Sequence, residues 1–192
     1  MRTILLLAAA AAACKGSDKA PSPSGADKPK AKAEGPERIS NHELASTPLQ
    51  NVASTAGTVA FTIDLPSAAL KPPEVKGAYS TWEPKKAWFD TPSFTVLFSE
   101  MPMSPDATGD SQPLGDDAKD RTIARAEKLP DGGYINVDQR TDHAFFKLEV
   151  CRPVNNGSLC CSVIQRADKP IDSFDESLKM AETICTSMKA TR

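Results

Sequence analysis

Cysteine carries most of the reactive chemistry in this sequence: Cys14 near the start, then Cys151, Cys160, Cys161 and Cys185 in the last quarter. A catalytic thiol pair uses C-x-x-C at a helix N-terminus, where the dipole lowers a thiol pKa. The adjacent Cys160-Cys161, inside the strand-like LCCSVIQR, has neither feature. Zinc is poorly served too, because no C-x-x-C or H-x-x-x-H spacing accompanies His42 and His143. Nucleophilic hydrolysis needs a serine or cysteine beside a base. The chain has no G-x-S-x-G elbow, P-loop or G-x-G-x-x-G, so no nucleotide cofactor is expected. Asp142-His143 at a strand corner is the one His-carboxylate neighbour pair inside the domain, and a surface turn histidine is the expectation there. His42, in SNHELAS, carries even less promise. Asp106, Asp110, Asp116, Asp117 and Asp120 form an acidic stretch, but without D-x-D-x-D-G and its closing glutamate it reads as a solvated loop, not a calcium site. No residue is nominated as catalytic or as a metal ligand, and the chain is expected not to be an enzyme.

The chain opens with Met1, Arg2 and Thr3, followed by an apolar run from Ile4 to Ala13, then Cys14 and the polar KGSDKAPSPSG. A cationic start, a short apolar segment and small residues before a junction form a secretory signal, here residues 1–13. Ten apolar residues rise about 15 Å as a helix, half the hydrocarbon thickness, and cannot span a bilayer. The small-small-Cys ending resembles the lipobox of bacterial lipoproteins. That resemblance implies lipidation of Cys14 as the mature N-terminus, a membrane anchor, and a place in the cell envelope. Lys15 after the cysteine implies the outer membrane more than the inner. Ordinary signal cleavage after Ala13 is the rival, and under either scheme the chain leaves the cytosol.

Residues 14–50 then read as a tether. Positions 15–38 contain only small, charged and proline residues, so nothing there can offset the entropy of ordering. Some 34 flexible residues up to Pro48 reach about 30 Å, enough to hold a domain clear of a membrane surface. The rest, 51–192, is one domain, since 192 residues with 40% hydrophobic positions build one core and hardly two. With 23 basic against 25 acidic residues the chain has a net charge of −2, which offers no footprint for nucleic acid. From Ile39 onward the balance is −5, so the domain is mildly acidic.

Within the domain, VAFTIDL (59–65) and SFTVLFS (93–99) alternate as half-buried strands. Tyr79, Trp82, Trp88 and Phe89 between them suggest short aromatic strands whose side chains fill core. From Thr122 a four-strand meander follows: TIARAEKL, a PDGG turn, YINVDQR, AFFKLEV and LCCSVIQR. Phe174, Leu178, Ala181, Ile184, Cys185 and Met188 recur at helical intervals, with Asp172 or Ser173 as N-cap. The expected class is α+β: an antiparallel sheet of about six strands with a C-terminal amphipathic helix on it.

Four cysteines in an exported chain point to two disulfides. Alternation puts Phe146, Leu148 and Val150 inward, leaving Cys151 outward; Leu159, Cys161 and Val163 inward, leaving Cys160 outward. Cys151 therefore faces Cys160 across a hairpin whose four-residue tip is VNNG, and Cys161 faces Cys185 on the helix. A hairpin closed on Asn156-Gly157 would break the first pairing. The element order, with the FTIDLP opening and the closing AETICTSMK helix, resembles the MOG1/PsbP-like fold over residues 57–190. That resemblance implies an α/β/α sandwich and no particular site. Functionally, the expectation is a non-catalytic, membrane-tethered envelope lipoprotein that binds a protein or cell-wall partner. An envelope hydrolase with an unrecognised site, or a small-ligand carrier using a pocket beside Trp82 and Trp88, are the alternatives.

Overall fold

A computed structural model describes residues 38–87, 90–101 and 120–191. Cys14, Trp88, Phe89 and the acidic positions from Asp106 to Asp117 lie outside them. The elements are α1 (Asn41–Ser46), β1 (Gln50–Ala56), β2 (Val59–Leu65), a single 3-10 turn, β3 (Glu74–Lys76), β4 (Tyr79–Trp82), β5 (Ser93–Ser99), β6 (Arg121–Lys128), β7 (Tyr134–Arg140), β8 (Phe145–Val154), β9 (Gly157–Arg166), α2 (Phe174–Ser187) and β10 (Lys189–Ala190). All pairings are antiparallel. One sheet has the order β3-β4-β5-β9-β8-β7-β6, the other β1-β2-β10. The class is α+β.

The period-two pattern decides which face of the large sheet is core. Phe94, Val96 and Phe98 of β5, Leu159, Cys161 and Val163 of β9, Phe146, Leu148 and Val150 of β8, and Ile135 and Val137 of β7 share one buried cluster. Opposite them β2 contributes Phe61, Ile63 and Leu65, and α2 contributes Ala181, Ile184 and Cys185. Burying each large apolar side chain stabilises by about 1.5–3 kcal/mol, so this layer holds the fold. Trp82 belongs to it, 2% exposed and edge-on to Phe61 at 6.3 Å between ring centres. The β1–β2 turn packs so tightly that a Cβ on Gly57 would lie 2.9 Å from the Phe98 ring, at a φ of +57°. Only glycine closes it without strain.

Several expectations change in detail. The folded domain includes residues within the 14–50 segment: Ile39 and Leu44 are buried in the core, and α1 is capped by Ser40, whose Oγ accepts the Glu43 N–H at 3.0 Å. The strand count exceeds six because β1, β3 and β10 lack a strong alternating apolar signature. Ser173 precedes α2 at φ +58° and makes no side-chain cap, so Asp175 and Glu176 in the first turn provide its N-terminal complement. Both described helices belong to the layer on the inner side of the large sheet, with α2 packed on β8, β9 and β2 and against α1. Among the described residues no helical layer covers the opposite face.

Candidate functional site

The cysteines lie on both faces of the large sheet. In the β8–β9 hairpin Cys151 sits directly opposite Cys160, and the two are bonded with their Cα atoms 4.0 Å apart. The turn is tighter than a four-residue tip: Val154 pairs Gly157, leaving Asn155-Asn156 as the loop, with Asn156 at φ +65°. The register is nevertheless that of a VNNG closure, because shortening the loop by one full pair leaves every facing partner unchanged. On the inner face Cys161 is bonded to Cys185, joining β9 to α2. Beside the outer bridge, Tyr134 Oη lies 3.1 Å from Cys151 Sγ and donates to Glu149 Oε1 at 2.9 Å. Burial, with the Glu149 carboxylate adding to it, pushes the Tyr134 phenol above the ordinary tyrosine range. A Cβ on Gly133 would meet the Cys151 carbonyl at 2.2 Å, so the approach of this turn to β8 requires glycine.

The histidines do not form a proton relay. Asp142 uses Oδ2 to accept from Arg140 Nη2 at 2.7 Å and Oδ1 to accept the Ala144 N–H at 3.0 Å. His143, at φ +58°, stacks on Phe174 with ring centres 4.3 Å apart. His42 pairs with Glu176 on the surface at 3.0 Å. Asp142-His143 thus closes a turn and packs on a helix, and a base activating a nucleophile needs a different geometry. Among the described residues no three potential metal ligands cluster.

The outer face carries the clearer chemistry. Arg166 pairs in register with Phe145 of β8, and Arg121 with Arg140 of β7. Successive strand ends of the meander therefore set Arg166, Phe145, Arg140 and Arg121 in one row. With Ala167 and Asp168 they line a cleft of about 230 Å³. The Arg121 guanidinium lies 4.4 Å from the Phe145 ring centre and that of Arg166 5.6 Å, both cation–π distances. Arg121 also donates through Nε, at 3.1 Å, and Nη2 to both oxygens of Asp138, a carboxylate only 3% exposed. That bidentate bond fixes its plane. Arg140 uses one of its five N–H donors on Asp142, and its buried Nε has no partner. The facing side chains on this side of the sheet are polar and buried as well: Asn136, Asp138, Glu149 and Ser158.

A second cleft, about 220 Å³, opens between α1, Asp90-Thr91 and the segment after β9. Its floor is Gln165, 2% exposed, donating to Asn41 Oδ1 at 3.0 Å and the Asp90 carbonyl at 2.8 Å. These bonds tie α1 to β9. Both clefts fall short of the roughly 300–1,000 Å³ that encloses a small molecule, but a single carboxylate or phosphate group fits. Trp82, as core, lines neither.

None of the arginines stands out in the sequence, because they are spread from 121 to 166 among other charges. The signal that locates them is the meander register. Arg121, Arg140 and Arg166 stand at the ends of β6, β7 and β9, and antiparallel pairing returns those ends to one edge.

Sheet order, register and the C-terminal helix define a PsbP-like fold. The solution structure of cyanobacterial PsbP (CyanoP) from Synechocystis sp. PCC 6803 is similar over 76% of this chain and 94% of that chain, with a TM-score of 0.53 and 18% identity. At that identity the likeness shows the fold alone. No family model and no curated protein matches the chain.

Proposed function

We propose that this chain is a non-catalytic binding module of the bacterial cell envelope. It is moored by lipid on Cys14, held off the membrane by the polar segment that follows, and grips an acidic group of an envelope protein or cell-wall polymer. The observation that carries the reading is the arginine row. Arg121, Arg140 and Arg166 line one cleft with Phe145, the first and last lying over its ring. Asp138 and Asp142 occupy part of the donors of Arg121 and Arg140, and Asp168 completes the wall, so the site offers directed N–H donors more than net positive charge. Planar forks of this kind match a carboxylate or phosphate bidentately. The cleft's size suits one such group on a larger partner. Two disulfides support residence in an oxidising compartment.

The test joins anchor and site. Detergent partitioning of the wild type and Cys14→Ser separates lipidated from free chain, and only the wild type enters the detergent phase. A photoreactive residue at Ala167, on the cleft wall, then captures the partner in intact cells. The expected adduct is acidic and disappears with Arg140→Ala. Equal partitioning of both forms removes the anchor, and an adduct indifferent to Arg140→Ala removes the site.

A further inference from the structure

Among the described residues the sheets end in four edges, and three of them are guarded. β3 is three residues long, follows Pro72-Pro73 and carries Glu74 and Lys76. β6 is broken by a bulge between Ile123 and Arg125 and carries Arg121, Arg125, Glu127 and Lys128. β10 has two residues, one of them lysine. Short length, proline, bulges and charge are the devices by which edge strands avoid pairing with other chains.

β1 has none of them. It runs seven residues, QNVASTA, without a charge or a proline. Its inward side chains Val52 and Ser54 face Ile63 and Phe61 of β2, while Asn51, Ala53 and Thr55 point out and are exposed. At its far end the Thr55 carbonyl accepts from Ser80 Oγ at 2.6 Å and Gly57 N–H donates to the Gly77 carbonyl at 2.9 Å. Along Gln50–Ser54, among the described residues, no backbone hydrogen bond leaves the edge turned away from β2. Beside this open edge two apolar side chains are left in solvent: Leu49, 40% exposed, and Val75 of β3, 49% exposed. Val75 pairs with the buried Ser80, so it points to the side on which β1 lies.

We infer that β1 is a strand-addition surface whose occupant is β1 of a second copy of this chain, paired antiparallel about a two-fold axis near Val52. An uncharged strand opposes itself without like-charge contacts, and a two-fold interface closes after two copies. The added strand extends the small sheet, satisfies the outward backbone groups of Asn51 and Ala53, and covers Leu49 and Val75. One strand pair buries less than the roughly 1,200 Å² of stable complexes, so association is weak and concentration-dependent. The surface is separate from the arginine row and does not depend on its role.

Sedimentation and amide hydrogen exchange on the exported Cys14→Ser chain, from about 1 μM to about 1 mM, test it. The expected result is dimer growing with concentration, together with added protection at the Asn51 and Ala53 amides. Ala53→Lys guards the edge at an exposed position and weakens the dimer by at least about tenfold, whereas Ala53→Thr, a strand former, leaves it intact. A chain monomeric throughout the range overturns the inference, as does a dimer indifferent to Ala53→Lys or without new protection in β1.

Discussion

The two faces of the seven-stranded sheet are built from the same strands and do opposite things. Phe146 and Phe145 are neighbours in β8: the first points into the core, edge-on to Phe174 at 5.6 Å, and the second floors the arginine cleft. The inner face is apolar and bridged to α2 through Cys161–Cys185. The outer face holds Asn136, Asp138 and Glu149 among ion pairs, and its bridge, Cys151–Cys160, stays within one hairpin. Stability concentrates on one side, leaving the other free to present charge.

The largest expected effect is on the inner face. Phe146→Ala empties a fully buried site and costs about 3–5 kcal/mol, read as a drop in urea midpoint. A loss below about 1 kcal/mol would dissolve the contrast between the faces.

Next comes Cys161→Ala with Cys185→Ala. The bridge spans 24 positions and ties two elements, so its removal costs about 3 kcal/mol in thermal unfolding. Cys151→Ala with Cys160→Ala frees a separation of only 9, within a hairpin already held by backbone pairing, and costs less. The reverse order would mean that the outer face carries the structural load.

A smaller, pH-dependent effect belongs to Tyr134. Its pKa is raised in the folded chain, so this contribution is intact below the ordinary tyrosine value near 10 and drains as pH climbs toward the higher folded value. The limit is about 1.4 kcal/mol per pH unit. Tyr134→Phe gives up its hydrogen bond to Glu149, about 1 kcal/mol at neutral pH, but lacks this alkaline loss. Parallel stability curves for the two proteins between about pH 9 and 11 would show that the buried phenol adds no pH-dependent stability.

Much of the inner face is legible in the sequence, because one-sided burial writes itself as alternation. VAFTIDL, SFTVLFS and the β8–β9 hairpin declare their inward residues, and that alternation also sets the side on which Cys151, Cys160 and Cys161 lie. Strands β1 and β3 are not legible, since QNVASTA and EVK carry little apolar periodicity and owe their form to the strands beside them. α1 hides for a related reason: six residues with one buried leucine leave too short a pattern to separate from a polar tether. The arginine row is a product of register across several strands, and residue types alone do not reveal it.

The role proposed for the outer-face arginines is recognition of an acidic group. The direct measurement follows the guanidinium Nε–H resonances of the exported Cys14→Ser chain during titration with glutarate and, separately, with inorganic phosphate. Saturable, salt-sensitive shifts are expected at Arg121, Arg140 and Arg166, while Arg38, Arg125 and Arg152 stay still. Arg140→Ala weakens the response at least about tenfold, a change of about 1.4 kcal/mol, with little effect on stability. Shifts spread evenly over these three and Arg38, Arg125 and Arg152, or none up to about 10 mM of either anion, would contradict that role.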